Sequence, residues 1–72
     1  FRAMTLREVL AENLKRHRLA TGLSQEELAH RADIDRTYVS SLERCQYSAT
    51  VDMIEKLARV LGVEAAELLR QP

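Results

Sequence analysis

The stretch LSQEELAHRADIDRTYVSSLERC, residues 23–45, contains two helix-start signals separated by a short turn. Ser24 can cap a helix, Glu27 can return the bond as a capping box, and Leu23 can staple onto Leu28 across the first turn. The spacing predicts a helix over residues 25–32 that buries Leu28, Ala29 and Ala32. It is short because ADID, residues 32–35, supplies a turn instead of another apolar step. Asp35 then caps a helix over residues 36–44.

Upstream, Leu6, Val9, Leu10 and Leu14 recur at three- and four-residue steps between charged residues, so residues 5–20 form an amphipathic helix. Lys15, Arg16, His17 and Arg18 suit the negative end of its dipole, and Gly22 suits the left-handed residue that closes it. Downstream, CQYSA forms a loop. Thr50 caps a fourth helix with Ile54, Leu57, Ala58 and Leu61 inward, Gly62 ends it, and Val63 packs back in a Schellman close. Residues 64–70 make a fifth, short helix whose Leu68 and Leu69 complete the core.

Length and composition agree with this outline. Seventy-two residues hold one core, and 46% hydrophobic with 31% charged residues is a globular balance. Few aromatics and only 2 Gly and 1 Pro suit helices better than strands. The formal net charge is +0, so any nucleic-acid reading rests on local arrangement instead of bulk charge. One cysteine, Cys45, cannot form an internal disulfide, and no stretch reads as a signal peptide or membrane span. The expected setting is the cytoplasm, with no membrane partner. Residues 1–3 precede Met4 and read as a possible cloning remnant, leaving residues 4–72 as one domain.

Placed on a wheel at about 100° per residue, Arg36, Thr37, Ser40, Ser41 and Arg44 share one side, with Tyr38, Val39 and Leu42 roughly opposite. Any surface helix has a polar outer face, so the wheel alone is weak evidence. Two short helices joined by a four-residue turn are more specific, because that unit sets its second helix in the DNA major groove. Arginine forks, hydroxyls and a threonine methyl are the groups that read base edges there.

Together, TGLSQEELAHRADIDRTYVSSLERC (residues 21–45) and MIEKLARVLGV (residues 53–63) resemble the Cro/C1-type, XRE-like helix-turn-helix family. Gln25 opens the second helix, small Ala29 sits where two helices cross, Val39 and Leu42 anchor the recognition helix, and Glu43 lies near its end. The resemblance spans nearly all of residues 6–69. It implies an all-α, five-helix, lambda-repressor-like domain that regulates transcription by binding double-stranded DNA, usually as a homodimer on an inverted repeat. It further implies base contacts from Arg36, Thr37 and Ser41, with Ser40 beside them on the same face. Gln25 would hold a phosphate, and the 45–49 loop, with Tyr47 and Ser48, is where such proteins hold another. Arg44 lies on the reading face and would neutralise a phosphate. Arg18 and Glu43 match positions that often form an ion pair between the first and third helices. The family usually has Gly where this chain has Asp33 and Cys45, and Pro where it has Ala49. Asp visits the left-handed region readily, whereas a β-carbon at Cys45 costs on the order of 1 kcal/mol, so the third helix is expected to end differently or run on.

His17 and His30 have no ligand-spaced partner and read as surface residues, and no metal, cofactor or small-molecule effector is expected. There is no Ser/His/Asp set and no phosphate-cradling Gly loop, which argues against an enzyme. The alternative is a protein-interaction module, such as the antitoxin of a toxin–antitoxin pair on the same fold. Val60, Val63 and Leu69 are the expected dimer surface.

Overall fold

The computed structural model describes residues 3–72. Phe1 and Arg2, two of the three residues read as a cloning remnant, lie outside the described residues. The chain runs α1 (Leu6–Ala20), α2 (Gln25–Ala32), α3 (Arg36–Glu43), α4 (Val51–Leu61) and a 3-10 segment (Ala65–Leu69). The described residues contain no strand.

The starts are set by side chains. Ser24 and Glu27 exchange both bonds of a capping box, with Glu27 N–H donating to Ser24 Oγ at 3.0 Å and Ser24 N–H to Glu27 Oε1 at 2.9 Å. Thr5 and Glu8 form a second box at α1. Asp35 Oδ1 accepts from Thr37 N–H at 2.7 Å, and Thr50 Oγ1 from Met53 N–H at 3.1 Å.

The ends share one device. At each of the four α-helices a residue with positive φ reverses the chain: Gly22 (77°), Asp33 (58°), Cys45 (61°) and Gly62 (72°). The next residue donates back into the last turn: Leu23 to Arg18 O, Ile34 to Ala29 O, Gln46 to Ser41 O, Val63 to Ala58 O. These are Schellman closes, which satisfy carbonyls the helix leaves open. The expectation that Cys45 would avoid this conformation is therefore corrected. Two backbone bonds, Cys45 N–H to Leu42 O at 3.1 Å and Gln46 N–H to Ser41 O at 2.8 Å, hold it there despite its β-carbon.

Leu10, Leu14, Leu28, Ala29, Ala32, Val39, Leu42, Ile54, Leu57, Ala58, Leu61 and Leu68 form one buried cluster. Leu6, expected in the α1 stripe, is 62% exposed at the first residue of the helix. The fifth helix is also corrected: residues 65–69 form a 3-10 turn. Its carbonyl end is held by Asn13, fully buried in α1, whose Nδ2 donates to Arg70 O (2.8 Å), Leu68 O (3.1 Å) and Glu67 O (3.3 Å). So short a run has little α-helical hydrogen bonding to lose, and the long-range bonds from this one amide replace it. No helix among the described residues is long and apolar enough to cross a membrane.

Candidate nucleic-acid interface

α3 packs against both α1 and α2, and its buried side is Val39 and Leu42. The opposite arc carries Arg36, Thr37 and Arg44, all exposed, with Ser40 half-buried between them. Ser41 departs from the expected reading face: it is buried, with 7% of its surface exposed. The geometry explains the difference. Ser41 lies roughly 90° around the helix from the centre of the exposed arc, at the flank between that arc and the buried side.

A buried node fixes how α3 sits. Arg18 of α1 donates through Nε to Glu43 Oε2 at 2.6 Å and through Nη2 to Glu43 Oε1 at 3.0 Å. Its Nη1 donates to Leu23 O at 2.9 Å. The two side chains are 10% and 3% exposed, so this bidentate pair is largely out of water. The hydrogen bond to Glu43 raises the Arg18 pKa further above its already high ordinary value, against the opposing effect of burial. Gln25, the first residue of α2, donates from Nε2 to Glu43 Oε1 at 3.0 Å. One carboxylate of α3 thus meets α1 and α2 together.

Past α3, the Tyr47 ring stands edge-on to Tyr38 with centroids 5.7 Å apart and planes at 67°. This ties the 45–49 loop to α3 and leaves Tyr47 56% exposed. Ser48 is exposed at the rim of a groove of about 320 Å³ that is lined also by Leu6, Leu10, Ala49, Ile54 and Leu69. Val60, Val63 and Leu69, the expected dimer surface, are each half-buried against the core. His17 is half-buried instead of lying on the surface, and its Nε2 is buried with no hydrogen-bond partner. Among the described residues no three His, Cys, Asp or Glu gather as a metal set.

Sequence reasoning missed Asn13, the Gln25–Glu43 bond and the Tyr38–Tyr47 pair. A signal existed for Asn13: it occupies an inward step of α1 directly beside Leu14, where a polar residue needs an internal partner. The other two depend on which side chains meet between elements, which no local pattern encodes.

Known proteins place this geometry in a family. A helix-turn-helix profile, HTH_3, matches residues 14–68. A Neisseria hypothetical transcription factor from Neisseria meningitidis serogroup B is 49% identical over 67 residues, covering 93% of this chain, which spans 63% of that protein's length. Control protein C.SmaI of Serratia marcescens is 38% identical over 66 residues, 92% of this chain and 79% of its own. Among solved structures, the Neisseria hypothetical transcription factor NHTF superposes with a TM-score of 0.92 at 48% identity, covering 94% of this chain and 78% of that one. The restriction-modification controller protein C.AhdI of Aeromonas hydrophila superposes with a TM-score of 0.83 at 40% identity, covering 86% and 94%. The all-helical architecture, the α2–turn–α3 unit and these matches agree: the chain belongs to the Cro/C1-type helix-turn-helix family, HTH_3, a family of DNA-binding transcriptional regulators.

Proposed function

We propose that this chain regulates transcription by setting α3 in the major groove of a specific duplex, acting by binding and not by catalysis. The observation that carries the reading is the exposed arc of Arg36, Thr37, Ser40 and Arg44 on a helix whose other side is anchored by Val39, Leu42 and the Arg18–Glu43 pair. A groove about 12 Å wide admits such a helix, and guanidinium and hydroxyl groups are what base edges accept. Arg36, Thr37 and Ser40 read bases; Gln25, Arg44, Tyr47 and Ser48 meet the phosphate backbone. Several relatives are named as transcription factors or restriction-modification controllers, which supports the same role.

One short reading helix spans few base pairs, so selectivity calls for two. The protein acts as a homodimer on an inverted repeat with half-sites about one helical turn apart. The dimer surface lies at the end of α4 and the 3-10 segment, where Val60, Val63 and Leu69 keep part of their apolar surface outside the core.

The test is selection of bound duplexes from a random pool, followed by titration of the selected site with Arg36→Ala and Arg44→Ala. Arg36→Ala should cost about 1–3 kcal/mol and relax one operator position, whereas Arg44→Ala should weaken all sequences alike and flatten the salt dependence by about one unit. Binding of a protein partner with α3 uninvolved, and no salt-dependent affinity for any duplex, would overturn the reading.

A further inference from the structure

Glu43 sits on α3 at the edge of the exposed arc, about one turn from Ser40 and more than 90 % covered at its side chain, being 3% exposed. Its Oε1 accepts from two helices at once, from Arg18 Nη2 at 3.0 Å and Gln25 Nε2 at 3.0 Å. A carboxylate offers acceptors only, so the Gln25 side chain has to present its NH2 group to Glu43, and the amide orientation is fixed by chemistry. That NH2 carries two hydrogens. One is held by Glu43, and the other remains for a ligand. Gln25 is half-buried, with part of its surface open next to the α3 arc.

We propose that Glu43 is a positioning residue for DNA binding: by holding one amide hydrogen of Gln25, it aims the other at a backbone phosphate of the duplex on which α3 is seated. The inference rests on the DNA-binding role proposed above. Its geometric basis is the place of Gln25. Residues at the middle of the arc face the groove floor, and residues at its edge, where Glu43 holds Gln25, face the groove wall along which the phosphates run. A phosphate only accepts, so a fixed donor suits it, and without Glu43 the amide is free to rotate and present its oxygen. Arg18 keeps the node in place by filling the rest of the carboxylate.

The experiment uses the duplex recovered by selection, with single phosphates replaced one at a time by neutral methylphosphonates, and compares wild type, Gln25→Met and Glu43→Gln, each corrected for the fraction folded by circular dichroism. One phosphate in each half-site should weaken wild type when neutralised but leave Gln25→Met unaffected. Gln25→Met should bind the unmodified duplex about three- to ten-fold more weakly, the size of one lost hydrogen bond, with an unchanged salt slope because a neutral amide displaces no counterion. Glu43→Gln should lose the same phosphate dependence, and Gln25→Met/Glu43→Gln should bind no worse than Gln25→Met in folded protein. Profiles of Gln25→Met or Glu43→Gln that coincide with wild type would overturn the inference while leaving DNA binding intact. Additive losses in the double variant would show that Glu43 acts independently of Gln25 and would overturn the inference. Should Glu43→Gln not fold, Glu43→Asp, which shortens the carboxylate away from Gln25 while keeping its charge for Arg18, takes its place, and a phosphate profile coinciding with wild type overturns the inference. Absence of salt-dependent binding by wild type would instead remove the DNA-binding role and this inference with it.

Discussion

Replacing Arg18 by Met tests whether the node between α1 and α3 is a structural requirement or an incidental surface pair. The substitution removes three donors, at 2.6 and 3.0 Å from Glu43 and 2.9 Å from Leu23 O. It leaves the Glu43 carboxylate, 3% exposed, with Gln25 as its remaining donor. Breaking a buried pair from one side costs about 3–5 kcal/mol, and the surviving Gln25 bond puts this case near the lower end. Set against about 4–11 kcal/mol of total stability for a domain of this length, that is a large share. Urea unfolding followed by circular dichroism should show the midpoint falling by roughly 3 M, for an m-value of about 1 kcal/mol/M. Replacing both partners, Arg18→Met with Glu43→Leu, should recover most of the loss, because an apolar pair of similar volume strands no charge. The reasoning is refuted if Arg18→Met alone stays within about 1 kcal/mol of wild type, the range of exposed ion pairs.

Other outcomes can be checked on the same material. Asn13→Ala should cost about 2–4 kcal/mol in thermal melts, since it strands carbonyls of the 3-10 segment and opens a small cavity. Asn13→Asp should be worse at neutral pH, because it turns acceptors toward those carbonyls. Cys45→Gly should stabilise by about 0.5–1 kcal/mol: relief of left-handed strain at φ 61° exceeds the entropy glycine adds to the unfolded chain, a shift visible in the unfolding midpoint. Glu27 is held below its ordinary pKa of 4.5, first by the Ser24 backbone N–H and then by the Ser24 side chain. A depressed carboxylate stabilises above its unfolded pKa and ceases to do so as pH falls through its folded value. Melting temperatures of wild type and Glu27→Gln should therefore differ at pH 7 and converge as pH falls through the lowered value, below 4.5.

How much was legible in the chain depended on the range of the interaction. Ser24, Asp35 and Thr50 announce helix starts because a cap and the N–H it satisfies lie within three residues of each other. Gly62 and Val63 announce an end for the same reason. The reading face was legible only in part: a wheel gave Arg36, Thr37, Ser40 and Arg44 as the outer side of α3, but placed Ser41 with them although it is buried. Periodicity says which side of a helix is apolar, and not how wide a strip its neighbours cover.

The linear order of residues by itself determined the helix starts, the α2–turn–α3 unit, most of the apolar core and the family, all of which follow from groups a few residues apart. Tertiary structure alone decided that residues 65–69 close as a 3-10 turn on Asn13 and that Gln25 joins the Arg18–Glu43 pair, which the family resemblance had implied. Each joins groups distant along the chain. Their energies exist only once the helices have packed, so no window of sequence contains them.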